Sequence, residues 1–197
     1  MSELLNPDRP MRADARRNRA AILQAARELF ASEEQEVQVD DIARRAHVGV
    51  GTFYRHFPDK EALMGELVRE RFRFFNETLA AALADEQAGP FESLAGALRT
   101  NAASVAEDAA TRFAFMSGGE RVFGQAAEEM EAFMVLARQL VKRAKAAGEL
   151  TPEFRAEDIP MVMCGICAAI DRRKAGWDWR RHLELVLRGM KPESPRI

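Results

Sequence analysis

A few groupings of residues in this 197-residue chain have types and spacings that could do chemistry. Cys164-Gly-Ile-Cys167 sets two thiols at the spacing of a redox pair or of half a metal site. A redox pair needs one cysteine at a helix N-terminus, where its pKa is lowered. Both cysteines instead sit inside 161–170, the most apolar run of the chain, so the plainer reading is a pair of small buried hydrophobes. His47, His56 and His182 are too dispersed for a metal site, and no cofactor is expected. Gly49-Val-Gly51 is half of a dinucleotide fingerprint, but it opens a helical pattern and follows no strand. There is no Walker loop, HExxH or nucleophile elbow, so nothing supports an enzyme.

The remaining grouping is 50–57. Val50, Phe53, Tyr54 and Phe57 have the spacing of one helical stripe, and Val39, Ile42, Ala43 and Ala46 repeat it just upstream. Two turns of amphipathic helix are not stable alone, so each must bury its stripe against the other and against the helix before them. The link His47-Val-Gly49 is short and holds a glycine, which predicts a helix-turn-helix. With the stripe buried or partly buried, Gly51, Thr52, Arg55 and His56 face outward, where a recognition helix meets base edges. Gly51 would admit close approach, and Thr52 offers a hydroxyl and a methyl to base or phosphate. Tyr54, His56 and Lys60 would reach phosphates, with the amides of the next helix N-terminus as reinforcement. Arg44 and Arg45 would clamp the flanking backbone. Spacing alone leaves two readings open, a DNA-reading head or a helical hairpin with solvated polar residues.

Charge does not decide between them. The net charge is −2, and the first 60 residues are neutral with ten basic and ten acidic side chains. The basic ones do cluster, Arg9, Arg12, Arg16, Arg17 and Arg19 in one group and Arg44, Arg45, Arg55, His56 and Lys60 in another. A fold that sorted them by face would offer one basic surface. At 47% hydrophobic and 30% charged the chain is neither disordered nor collagen-like. No apolar run approaches the ~20 residues that span a bilayer. Without a signal-like start and with two cysteines, a soluble cytoplasmic protein is expected.

The elements that must position these residues are all helical, since no stretch alternates with period two. Apolar spacing predicts about nine helices, at 14–31, 39–46, 50–57, 60–85, 91–107, 109–116, 121–147, 157–174 and 178–190. Glu33 to Gln38 ends the first, Pro58 closes the third, Asp59 would cap the fourth, and Gly148 would end the seventh. The tail after Lys191 reads as frayed. The fold class is all-α, with a head over 1–58 and a second domain over 59–197.

Residue identities go further. The block Thr52-Phe-Tyr54-x-His56-Phe57-x-Asp59-Lys60-x-x-Leu63, with Val39 to Gly51 before it and Arg19 to Phe30 before that, closely resembles the TetR/AcrR family of bacterial transcriptional regulators over about 14–68. The resemblance implies a homodimer with one three-helix reading head per subunit and a C-terminal ligand-sensing, dimerising domain. It implies DNA contacts among Arg16, Gln38, Arg44, Arg45, His47, Val50, Gly51, Thr52, Tyr54, Arg55, His56 and Lys60. Three departures stand out. His47 occupies a turn position usually held by Gly, Gln38 replaces a capping Thr, and 32–36 lacks the common Gly.

For the second domain the residues are less specific. Phe72, Phe75, Leu98, Asn101, Phe113, Met116, Phe133, Met134, Met163 and Cys167 are candidates to line an effector pocket, because flat and flexible apolar side chains leave cavities. Asn101 is the polar exception on its stripe and would orient a ligand or bond a neighbouring helix. Gly165, Ala168, Ala169, Trp177, Trp179, Leu183 and Leu187 are candidates for a dimer surface, built as a four-helix bundle with the symmetry mate. The expected function is a ligand-responsive repressor of a palindromic operator, released by a small apolar molecule. The alternative is a helical ligand- or redox sensor, through Cys164 and Cys167, without specific operator binding.

Overall fold

The computed structural model describes residues 8–31, 37–172 and 176–192, and the side chains from residue 13 onward within them. Arg9 and Arg12, the polar segment 32–36, the last residues of the helix read to 174, and the tail from 193 lie outside the described side chains or residues. Ten α-helices run through the described residues. They are α1 (Asp8–Ala31), α2 (Val39–Arg45), α3 (Val50–His56), α4 (Lys60–Ala84), α5 (Pro90–Glu107), α6 (Ala109–Ser117), α7 (Glu120–Gly124), α8 (Ala127–Ala146), α9 (Ile159–Asp171) and α10 (Trp179–Gly189).

The boundaries differ from the sequence reading in three main places. The first helix begins at Asp8, six residues ahead of the expected start at 14. The single helix expected over 121–147 is broken into α7 and α8, with Ala126 leaving helical geometry at φ −109°, ψ 15°. Gly124 weakens the helix there, and the Gln125 side-chain amide donates to the Glu61 carbonyl oxygen at 3.4 Å. Gly65 makes room for that side chain, since a Cβ at 65 would stand 2.8 Å from Gln125 Cδ. The helix expected from 157 starts instead as a 3-10 turn, Ala156–Asp158, before α9. The predicted punctuation is otherwise present. The Asp59 carboxylate accepts from the Ala62 N–H at 2.7 Å, and Gly148 ends α8 with φ +70°.

The described residues form two compact units. Those up to Val68 join 108–125 in a head unit, and 69–107 joins the residues from Ala126 onward in a second. The sequence boundary at 58/59 followed Pro58. The head instead takes in 60–68 and α6–α7, because Leu63, Leu67 and Val68 are buried in it and Phe113 of α6 stacks on Phe30 of α1 at 4.7 Å. Contacts between segments so distant in sequence leave no periodicity to read.

In the head, α1 packs against α2, α3 and α6, and α2 against α3. Ile22, Ala26, Ile42 and Phe53 are fully buried at 0% exposure. The three large side chains among them are each worth roughly 1.5–3 kcal/mol on leaving water, which is what holds two helices of seven residues that could not stand alone. The buried Glu66 carboxylate meets the Arg19 guanidinium at 3.0 Å, and that guanidinium also lies over the Phe57 ring. The start of α4 and the end of α3 are thereby tied to α1.

In the second unit, α5 packs against α8 and α9, and α9 against α10. Nine residues of α5 are buried, including Leu94, Leu98 and Val105. Phe72, Phe75 and Phe133 form an aromatic cluster with centroids 5.5–6.2 Å apart. The Arg99 guanidinium donates to both Glu184 oxygens, at 2.6 and 3.1 Å, and to Glu92 at 3.0 Å, linking α5 to α10. Asp178 caps α10 by accepting from the N–H groups of Arg180 and Arg181.

Candidate nucleic-acid interface

The second helix of the pair, α3, is anchored from beneath by Phe53 and by Phe57, 3% exposed. Its N-terminal turn is open. Gly49 stands at the N-cap in extended geometry, and no atom lies within 4 Å of where a Cβ would be on Gly49 or Gly51. Gly51, Tyr54 and Arg55 are exposed, Thr52 and His56 half-buried. Of the four stripe residues expected to be buried or partly buried, Val50 and Tyr54 are the more open ones. Val50 is 38% exposed and Tyr54 50%. Phe53, inside α3, and Phe57, at its C-cap, take the buried side. The Tyr54 ring stays edge-on to Phe53 at 5.6 Å, which leaves its hydroxyl end to solvent.

The turn before α3 carries the one non-glycine residue with positive φ among the described residues, His47 at +54°. This is the left-handed geometry for which Gly is the usual occupant, so the departure read from the sequence has a conformational cost. The His47 side chain is exposed. At the start of α2, where Gln38 replaces Thr, the Asp41 carboxylate accepts from the Gln38 N–H at 3.2 Å.

The cations are placed less simply. Arg16 is exposed on α1. Arg44 pairs with Asp41 at 3.2 Å, and Arg45 pairs with Glu28 of α1. The Glu28 carboxyl is held below its usual range, first by the Gln24 amide and then by Arg45. Exposed, solvent-screened pairs of this kind contribute little, so a phosphate can replace the carboxylate at little cost. The Arg55 guanidinium donates back to the Gly51 carbonyl oxygen at 3.3 Å. Lys60, expected at a phosphate, sits with its Nζ 5.6 Å and 5.7 Å from the Phe30 and Phe113 ring centroids. The Asp59 carboxyl beside it lies below the usual carboxylate range, chiefly because the Ala62 N–H donates to it, with Arg121 adding to the effect. The geometry is a buried-backed helix with an open, small-residue leading edge, flanked by arginines in exchangeable pairs.

The effector candidates divide between the units. Phe75, Leu98, Asn101, Phe133 and Cys167 are buried in the second unit, where Phe72, Met134 and Met163 are half-buried. Phe113 and Met116 belong to the head unit and are 37% and 53% exposed. Of the dimer candidates, Ala169, Trp179, Leu183 and Leu187 are buried within the chain. In α10 the buried arc runs through 179, 183, 187 and 190, one helical face, so these large side chains are taken up by their own subunit. Gly165 and Ala168 are half-buried and Trp177 is 53% exposed. The thiols also differ from expectation. Cys167 is buried but Cys164, one turn earlier on α9, is exposed.

Sequence reasoning missed a groove of about 400 Å³ in the second unit, lined by Arg138, Val141, Lys142, Lys145, Arg155, Ala156 and Glu157. Arg138, Lys142 and Lys145 recur at helical spacing in α8, which was the available signal. Among the described residues no helix is long and apolar enough to cross a membrane.

Comparison with known proteins is consistent with this geometry. The family model for bacterial regulatory proteins of the tetR family matches residues 22–67, which covers α2, α3 and the buried face of α1. HTH-type transcriptional regulators of Staphylococcus aureus are 38% identical over 66 residues, 33% of this chain and 36% of theirs. The match thus spans about a third of the length of these relatives. A TetR transcription regulatory protein of Mycobacterium vanbaalenii is 32% identical, with a TM-score of 0.58, over 93% of this chain and all of that one. FadR of Thermus thermophilus, a TetR-family transcriptional repressor in complex with lauroyl-CoA, is 26% identical with a TM-score of 0.61, over 91% of this chain and 98% of that one. Head and remainder alike therefore identify the chain as a member of the TetR family of bacterial transcriptional regulators.

Proposed function

We propose that the chain is a ligand-responsive, DNA-binding transcriptional regulator that works as a homodimer. In this reading it represses from a palindromic operator and is released by a small, largely apolar molecule. The observation that carries the proposal is the open edge from Gly51 to His56 on a helix whose opposite face is fully buried. Such a helix can enter a major groove as a rigid body, with Thr52 and Gly51 at base edges and Tyr54, His56, Arg44, Arg45 and Arg16 on phosphates. Lys60, His47, Gln38 and Arg55 are the remaining members of the surface.

Two heads would have to match grooves ~34 Å apart. Exposed apolar side chains on α9 and α10, Met161 at 67% and Leu185 at 51%, support pairing with a second copy. A ligand that fits only the arrangement with unmatched heads would draw the dimer off DNA by its differential affinity. That the lauroyl-CoA complex belongs to a relative with the same fold supports a sensing role for the second unit.

Gel shifts on the DNA flanking the chain's own gene test the reading. A sequence-specific shift is expected, weakened about tenfold or more by Thr52→Ala, in line with the ~1–3 kcal/mol of a base contact. Replacing Arg44 and Arg45 by Ala should weaken all sequences equally and flatten the salt dependence. A uniformly weak shift that Thr52→Ala leaves unchanged would end the regulator reading and favour a helical sensor without an operator.

A further inference from the structure

The interior of the second unit has an unusual polar composition. Its fully buried polar residues, among those described, are Ser93 and Asn101, 5% and 2% exposed. Both stand on α5, eight residues apart and so on neighbouring rows of its buried face. Neither is charged. The Asn101 Oδ1 and Ser93 Oγ are buried without a hydrogen-bond partner. Buried polar atoms are ordinarily paired, because an amide left unpaired in an apolar interior forfeits its hydration without replacement.

The surroundings are apolar. Asn101 lies within the arc of Leu94, Leu98 and Val105, on the helix that packs against α8 and α9, which carry Phe133, Met163 and Cys167. Among the described residues of this unit no cationic residue is buried, and the buried guanidinium nitrogen, Arg71 Nε, belongs to a side chain that lies over the exposed Phe74 ring, so an anion in this interior would lack a buried counter-charge. An uncharged group that donates a hydrogen bond would satisfy the open acceptor.

We propose that Asn101 is the polar anchor of the effector site, and that the effector is an uncharged, mostly apolar molecule with a hydroxyl or amide N–H that donates to the Asn101 Oδ1. The proposal rests on the ligand-responsive reading above and adds the ligand's chemical class. The amide selects by what it lacks. A ligand of the same shape without a donor leaves Oδ1 unpaired and gains only from apolar contact.

The test uses the full-length protein and two series of isomers, the straight-chain primary alcohols from hexanol to dodecanol and the methyl ethers of equal formula. Binding is followed by calorimetry and by thermal shift. At the best chain length the alcohol should bind about tenfold more tightly than its isomeric ether, the ratio that one recovered hydrogen bond represents. Asn101→Leu, of similar volume, should bring that ratio to near one while both series still bind. Equal affinity of alcohol and ether for the wild type overturns the proposal, and that measurement needs no variant to fold. So does a preference that survives Asn101→Leu, or a failure of every chain length to bind. The DNA experiment separates the two readings. Operator binding with no alcohol preference leaves the regulator and removes the anchor, and the reverse result keeps the anchor and removes the regulator.

Discussion

The two units treat buried polarity in opposite ways. In the head, Glu66 meets Arg19 at 3.0 Å, and Thr111, 1% exposed, donates through both its N–H and its hydroxyl to Asp108, at 2.9 and 2.7 Å. In the second unit, Ser93 and Asn101 keep oxygens that nothing answers. Hydrogen bonds to charged groups are worth about 1.5–3 kcal/mol each, and an unanswered buried group costs a similar amount. One interior is therefore built to hold a single arrangement, as a surface that must fit a fixed groove requires. The other keeps buried oxygens unpaired, which is the feature the proposed effector site draws on.

The largest way to break this contrast is Phe53→Ala. The ring is fully buried under α3, and its loss should destabilise the head by about 3–5 kcal/mol. Thermal unfolding followed by circular dichroism should then show an early transition for the head and a later one for the second unit. A single unshifted transition would mean that α3 contributes nothing to stability. A matched pair sharpens the comparison. Thr111→Val removes a satisfied hydroxyl and should cost about 1.5–3 kcal/mol, whereas Ser93→Ala removes an unsatisfied one and should cost nothing or gain a few tenths. Urea denaturation of the two variants decides it, and equal costs would erase the difference between the interiors.

Asp59→Ala should cost about 1 kcal/mol at neutral pH through loss of the α4 cap. The folded carboxyl lies below its ordinary value, so its contribution is full above the unfolded pKa of about 3.9 and fades as pH falls through the lower folded value. Stability curves of wild type and variant should accordingly converge in acid and separate again above roughly pH 4. The smallest effect is a gain. His47→Gly removes a left-handed strain of roughly 1 kcal/mol or more, offset in part by the entropy of glycine, for a net gain near 0.5 kcal/mol. A lower midpoint in chemical denaturation would show that the His47 side chain stabilises the turn.

What was legible in the sequence follows the range of the interactions. The stripe Ile22, Ala26, Phe30 and the pairing of α2 with α3 are local and periodic, and so was the left-handed turn at His47 once its position was matched to a glycine. The break at Gln125 and the capture of α6 by α1 were not, because they depend on Gly65 leaving room for Gln125 and on Phe113 meeting Phe30. The large side chains of α10 read as an intersubunit face and are buried in their own subunit, since apolar spacing says that a face is covered but not by what. Asn101 stood out by composition. That it has no partner required coordinates.

The empty space above Gly51 has a consequence for how such a protein changes over time. A Cβ introduced there would have no heavy atom within 4 Å in the free chain, so the fold offers little resistance to substitution at this position. In the proposed reading, mutations at this position are filtered mainly by the nucleic acid across the interface. The vocabulary of target sequences can drift while the scaffold beneath stays intact, and a single codon is enough to begin it.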